Sequence, residues 1–280
     1  MSGPSYPTLS RRLQWCAIFS TDRTMKRITN PLFEMGAEIK TQDGKLPLHI
    51  KGKVLNNCKI EIDIPSAQIK SAVLLGALNA PGTTVFYEPQ ISRDHTEKML
   101  SAFGANISTS TSEKGSKVTV EGYPELSPQQ VVIPQDPSSA AFPMCAALIV
   151  KDSKISFKNI SQNPTRNGLI ITLLEMGADI EIKNTKHVNG EKVADLIVST
   201  SELSGVEVPV ERAVSMIDEY PILSIIASFA RGKTIMRGIK ELTVKESNRI
   251  LSMAKGLKKC GIELQYGDDF LIVNGQKKVL

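Results

Sequence analysis

The sequence predicts an α/β fold of two domains, built from repeated units in which buried helices are surrounded by sheets. Three observations lead there. The 280 residues suffice for about two domains with real cores. A helix end that runs through a glycine into an alternating strand recurs four times, and a helix with almost no polar face recurs three times. A helix apolar on nearly every side belongs inside, and one with a charged face belongs outside. Each unit therefore supplies one interior helix, one exterior helix and strands between them.

In chain order the exterior elements are "LFEMGAEI" at 32–39, "MLSAFGANI" at 99–107, "LLEMGADI" at 173–180 and "LKKCGIEL" at 257–264. Gly36, Gly104, Gly177 and Gly261 stand where a helix C-terminus needs a left-handed residue, and an alternating strand follows each. The interior elements are "SAQIKSAVLLGALNAPGTTVF" from Ser66, "SSAAFPMCAALIVKDSKISF" from Ser138 and "SMIDEYPILSIIASFARGKTIM" from Ser215. Pro143 and Pro221 fit a first helical turn, where no N–H bond is lost. The proline-containing "VVIPQDPSS" at 131–139 reads as a joint, which places the domains at 1–135 and 136–280.

Lys and Arg number 34 against 29 Asp and Glu, a net charge of +5 with no basic block. That balance suits acidic small molecules as readily as nucleic acid, and no interleaving of aromatic with basic residues favours the latter. Cys16, Cys58, Cys145 and Cys260 lie far apart and do not cluster with His49, His95 or His187, so neither a metal site nor a disulfide framework is expected. Cys145 and Cys260 read as small buried apolar residues. The stretch "LQWCAIF" is shorter than a signal-peptide core, and no segment has membrane-spanning length. These features predict a soluble cytoplasmic protein with no membrane partner.

Chemistry is expected at the N-terminal ends of the interior helices, whose first N–H groups lack helical partners and attract phosphate and carboxylate. Gln68 lies 14 residues before Gly82, and Asp218 lies 14 residues before Gly232. The same slot thus holds an amide in one copy and a carboxylate in another. On its own segment Asp218 is either a first-turn capping charge or a substrate contact. In "VKESNRI", 244–250, helical spacing would bring Lys245, Glu246 and Arg249 into one region, either as a functional cluster or as a solvated ion pair. Arg93 in "SRDHTEKML" could pair with Asp94 or Glu97, His95 reads as a helix-start residue, and Ser138 and Ser139 read as N-caps.

The ordered segments "PSAQIKSA", "SRDHTEKML", "DPSSAAFPMCAAL", "NPTRNGL", "LLEMGADI", "SMIDEYPIL" and "VKESNRI" resemble the 3-phosphoshikimate 1-carboxyvinyltransferase family, also called 5-enolpyruvylshikimate-3-phosphate synthases, over roughly 25–280. The resemblance implies an enolpyruvyl-transferase-like architecture of two domains with three α/β units each and substrates bound between them. It also implies transfer of the enolpyruvyl group of phosphoenolpyruvate to the 5-hydroxyl of shikimate 3-phosphate, in aromatic amino acid biosynthesis. Ser66, Ala67, Gln68 and Arg93 would bind shikimate 3-phosphate, with Gln68 also near phosphoenolpyruvate. Arg249 and Arg23 would bind phosphoenolpyruvate. Asp218 would accept the proton of the attacking hydroxyl, while Lys245 and Glu246 would serve proton transfer and charge stabilisation. The resemblance implies no cofactor, no metal, no nucleic-acid partner and a monomer. In the sister family that acts on a nucleotide sugar a loop cysteine is expected, and none stands in a matching motif.

The family pattern is not met everywhere. Asn248 stands where an aspartate is usual, and Thr24 replaces the proline after Arg23. The family's early Lys-Ser segment, its Asn-Ser-Gly-Thr loop, its late Asp-His-Arg segment and its final lysine segment have no counterpart. Both domains are therefore expected to be partial, the first missing N-terminal parts and the second C-terminal parts. The chain by itself is expected to be inactive or very weak, since each lost charge-assisted contact costs about 1.5–3 kcal/mol. The alternative expectation is a non-catalytic remnant that binds anions. Two structural expectations follow. The runs 68–80, 140–150 and 219–230 should be buried helices, and any of them found as a strand would overturn the repeat. Asp218, Lys245, Glu246 and Arg249 should converge, with Gln68 facing them from the other domain.

Overall fold

A computed structural model describes residues 13–15, 24–113, 115–243 and 247–276. The chain divides into two compact units, 1–129 and 130–280. The division falls six residues before the expected joint at 136, because residues 130–135 are tied to the second unit. Asn189 Nδ2 donates to Gln130 O at 2.9 Å, Val132 N–H donates to Asn189 Oδ1 at 2.9 Å, and Gln135 forms a parallel bridge with Ile160.

The first unit opens on an incomplete repeat of β1 (Leu13–Trp15), α1 (Lys26–Glu34), β2 (Glu38–Gln42) and β3 (Lys45–Lys51), whose sheet runs β1-β3-β2, all antiparallel. A complete repeat follows: β4 (Lys59–Glu61), α2 (Ala67–Ala77), β5 (Thr83–Glu88), α3 (His95–Ala102), β6 (Ile107–Ser112) and β7 (Gly115–Glu121). Its sheet order is β4-β5-β7-β6, with the first pair parallel and the rest antiparallel.

The second unit repeats that plan twice. In one copy the Gln135 bridge replaces the first strand, followed by α4 (Pro137–Ile149), β8 (Lys154–Ser161), α5 (Gly168–Glu175), β9 (Asp179–Val188) and β10 (Glu191–Ser199), in sheet order β8-β10-β9. The other copy is β11 (Glu207–Val208), α6 (Tyr220–Phe229), β12 (Arg231–Arg237), α7 (Arg249–Lys259), β13 (Leu264–Tyr266) and β14 (Phe270–Gln276), in order β11-β12-β14-β13. All three apolar runs are helices. Gly36, Gly104, Gly177 and Gly261 all have positive φ just after α1, α3, α5 and α7.

Each interior helix is closed by the last strand of its own repeat. Tyr123 N–H donates to Leu78 O, and Ser201 N–H donates to Leu148 O, which satisfies a carbonyl of the final turn in each helix. Two glycines, Gly122 just past β7 and Gly275 within β14, let the helix end approach closely. A Cβ on Gly122 would lie 1.5 Å from Ala80 O, and one on Gly275 would lie 2.0 Å from Ala230 O.

Each unit has its own core. Val73, Leu74, Phe86 and Val118 pack in the first, and Met144, Leu148, Leu173, Leu196 and Leu223 in the second, where Cys145 is also buried. Cys260, expected to be buried as well, is exposed, since it caps the end of α7 beyond the stripe of Ile250, Ala254 and Leu257 that faces the core. Burial of the apolar helices is one-sided, which differs from the sequence expectation. Phe142 stays 59% exposed, and Leu75 and Ile225 are also exposed, because each helix packs chiefly on its own sheet and neighbouring helix. Pro143 sits at the middle of α4 and not in its first turn, on a solvent-facing stripe where the carbonyl it leaves unbonded can be hydrated.

The helix seats generate a contrast measurable by chemical denaturation. Gly122→Ala forces a methyl group against backbone and is expected to destabilise by about 1–3 kcal/mol. Gly256, inside α7 with nothing within 4 Å of the point an added methyl group would occupy, is the opposite case. Gly256→Ala is expected to stabilise by about 0.5–1 kcal/mol through helix propensity.

Candidate functional site

In the first unit the sequence sets a helix start beside two arginines. Ser66, in extended conformation, caps α2 by accepting from Ile69 N–H, and its hydroxyl also accepts from Arg27 Nη2 at 3.3 Å. A cavity of about 500 Å³ opens there, lined by Thr24, Arg27, Ala67, Gln68, Arg93 and Thr96 among others. Ser71 Oγ and Thr96 Oγ1 lie 2.6 Å apart and join the first turns of α2 and α3. The first turn of α2 and two guanidinium groups line this cavity with donors of the kind that bind anions. The structure thus brings Ser66, Ala67, Gln68 and Arg93 together.

The loop carrying Arg93 is anchored from beneath. Lys70, only 1% exposed, bonds Glu88 Oε1 at 2.9 Å, Glu97 Oε1 at 2.7 Å and Ser92 O at 3.3 Å. Glu88 in turn accepts from Ser92 N–H, Ser92 Oγ and Ser116 Oγ. Arg93 follows directly on the clamped Ser92. Glu97 is bonded to Lys70, and Asp94 pairs with Lys98 at 3.1 Å. Burial pushes the Glu97 carboxyl above its ordinary value, against the pull of Lys70.

In the second unit Asp218 Oδ1 and Arg249 Nη1 lie 3.4 Å apart, with side chains 35% and 31% exposed. The pair joins the segment that precedes α6 to the first residue of α7. Asp218 stands one residue before the N-cap of α6, whereas Gln68 is the second residue of α2. The slot counted back from the turn is shared, but α6 starts late. Pro221 has no N–H for Ile217 O, and Glu219 N–H instead closes a tight turn on Met216 O at 2.9 Å. Similarly, α7 begins at Arg249 with Asn248 as its cap, later than the helical spacing argument for "VKESNRI" assumed. Lys245, Glu246 and Arg23 lie outside the described residues.

Sequence reasoning missed a third slot. The left-handed turn residue of the middle copy is Asp152, with φ 57°, in the place of Gly82 and Gly232. Fourteen residues before it stands Ser138, the second residue of α4. Its hydroxyl accepts from Arg166 Nη2 at 2.7 Å and donates to Glu219 Oε1. Ser138 is therefore not a cap, and Asp136 is, accepting from Ser139 N–H at 2.9 Å. Although burial opposes it, the Ser139 and Arg166 donors hold the Asp136 carboxyl below its ordinary value. Arg166 also has a sequence signal, since it and Arg93 both precede the first residue of an exterior helix by two positions.

Fold and site together define an α/β repeat protein with an arginine-lined cavity at the start of one interior helix and a carboxylate set beside an arginine before another. The model of the EPSP synthase (3-phosphoshikimate 1-carboxyvinyltransferase) family matches residues 20–280. The chain is similar to the 3-phosphoshikimate 1-carboxyvinyltransferase of Cereibacter sphaeroides, with 54% identity over 259 residues, covering 92% of this chain and 58% of that protein. It is likewise 54% identical over 256 residues to that of Paracoccus denitrificans, covering 91% of this chain and 58% of the relative. The solved EPSP synthase of Acinetobacter baumannii matches with a TM-score of 0.80 at 39% identity, over 92% of this chain and 58% of that one. The chain belongs to the EPSP synthase family, and it spans about 58% of the length of these relatives.

Two variants probe the anchor beneath the Arg93 loop. Lys70→Met leaves Glu88 and Glu97 buried without their cation and is expected to cost about 3–5 kcal/mol in denaturant unfolding. Glu97→Gln reports on pH. A carboxyl that binds its proton more tightly folded than unfolded contributes stability that is complete below its unfolded pKa and fades as pH rises through its folded pKa. Melting temperatures taken across that acidic window should therefore fall less with rising pH in Glu97→Gln than in the parent.

Proposed function

We propose that this chain serves transfer of the enolpyruvyl group from phosphoenolpyruvate to the 5-hydroxyl of shikimate 3-phosphate, with release of phosphate. The observation that carries the reading is the Asp218–Arg249 pair, which sets a carboxylate able to serve as the base beside a guanidinium able to serve the phosphoenolpyruvate anion. The pocket at the start of α2 supports it, since Ser66, Ala67, Gln68 and Arg93 offer the donors that a phosphorylated, carboxylated sugar acid requires.

In this reading Asp218 takes the proton of the attacking hydroxyl as its oxygen bonds to the central carbon of phosphoenolpyruvate. The methylene carbon gains a proton at the same stage. Phosphate then leaves with the electron pair of its C–O bond, and loss of a methyl proton restores the double bond. Lys245 and Glu246 are assigned those carbon proton transfers, and Arg249 and Arg23 the carboxylate and phosphate of phosphoenolpyruvate. Positioned proton donors and acceptors contribute about 10²–10⁴-fold each, which suffices without a metal or organic cofactor. We place the protein in the cytoplasm as a monomer. Among the described residues no helix is long and apolar enough to cross a membrane.

Calorimetry and phosphate release test this. Phosphoenolpyruvate is expected to bind only when shikimate 3-phosphate is present, and the weak phosphate release expected of this chain, which requires both, should fall about 100-fold or more in Asp218→Asn. Binding of both anions with no release would leave an anion-binding protein. Failure to bind shikimate 3-phosphate at all would overturn the proposal.

A further inference from the structure

We infer that Ser138 and Arg166 are positioning residues for Asp218, acting through Glu219. This rests on the reading of Asp218 as the proton acceptor. Glu219 follows Asp218 in the chain and is 4% exposed, so its carboxylate faces inward while Asp218 faces solvent. That buried carboxylate accepts from Ser138 Oγ. The serine hydroxyl has one proton to give, and Arg166 Nη2, 2.7 Å away, requires it to accept there. Arg166 is itself fixed by Asp136 Oδ1 at 2.7 Å. Arg166 thus donates both to Asp136 and to Ser138, and Ser138 donates onward to Glu219, which ties the turn carrying Asp218 to the first turn of α4.

A second contact supports the same turn from α5. A Cβ on Gly168 would lie 2.4 Å from Ser215 Oγ and 3.0 Å from Met216 Cβ, so the start of α5 abuts the residues leading into the turn. Thr172 Oγ1 lies 3.5 Å from Met216 Sδ, and Arg212, which binds Thr172 at 3.0 Å, is forked onto Glu175. The α5 contacts and the Ser138–Glu219 bond thus hold the 216–219 turn from two sides. The middle repeat therefore spends its helix-start slot on the neighbouring repeat's carboxylate, whereas the slot of the first unit opens on a cavity.

The test compares Ser138→Ala, Arg166→Gln and Ser138→Thr with the parent chain. Amide hydrogen exchange at Glu219 and Leu223, whose N–H groups bond Met216 O and Glu219 O, should lose protection about tenfold in the first two variants. Ser138→Thr, which keeps the hydroxyl, should restore it, and amides of β8 and β10 should be unchanged throughout. The turnover number for enolpyruvyl transfer should fall about 10- to 100-fold in Ser138→Ala with the KM for shikimate 3-phosphate unchanged, as a misplaced acceptor predicts. Unchanged exchange at Glu219 and Leu223 would overturn the inference, as would a turnover number that stays constant while exchange rises. If the parent chain transfers no enolpyruvyl group, the proposed function falls while exchange alone still decides whether Ser138 and Arg166 hold the turn.

Discussion

The constraint on which the architecture depends is that an interior helix must be satisfied at both ends while its flank is apolar. At the C-terminal end the repeat does this with its own last strand, through the Tyr123 and Ser201 N–H groups and through glycines 122 and 275, where only a hydrogen can face the helix carbonyls. That contact fixes the helix along its axis. Once the lower end is seated, the upper end opens at a set distance from the turn, and whichever residue lies 14 positions before the left-handed turn residue is delivered there.

What differs between the copies is the side chain delivered and the cation supplied by the next loop. Gln68, an amide, shares its cavity with Arg93 and leaves the helix start available to an anion. Ser138 is saturated by Arg166 and Glu219, so that helix start is consumed internally. Asp218 brings a carboxyl group, which sits just outside its helix because Pro221 delays the helical register. One scaffold thus sets an amide, a hydroxyl and a carboxylate in the same slot of successive copies. The buried Lys70 plays the corresponding structural part in the first unit, since the loop bearing Arg93 is held by charge where the loop bearing Asp218 is held by a hydroxyl.

Much of this was legible in the amino-acid order because it is local. The glycines at 36, 104, 177 and 261 announce helix ends through the conformation only glycine adopts cheaply, and the apolar runs announce interior helices through the absence of a polar face. The site was half legible. Asp218 and Arg249 drew attention by residue type, and the structure joins them, although not by the helical spacing that suggested it. The brace was not legible, since Ser138 and Glu219 are 81 residues apart and a serine near a helix start has a sufficient local explanation as a cap. The compact units divide at 129/130, close to the expected joint. Proline marks where the chain bends, but the hydrogen bonds of Asn189 decide to which side the bend belongs.

The burial of Cys145 has a consequence of another kind. Its thiol lies against the core of the second unit, and desolvation pushes its pKa up to about 12, so almost no thiolate exists at neutral pH to meet an alkylating or oxidising reagent. Cys260 is exposed at the end of α7. A single unit therefore contains an accessible thiol and a sealed one, and the ratio of their labelling rates is an internal clock for opening of that core. Modification of Cys260 would proceed at the pace of the reagent, and modification of Cys145 at the pace of the protein's own unfolding.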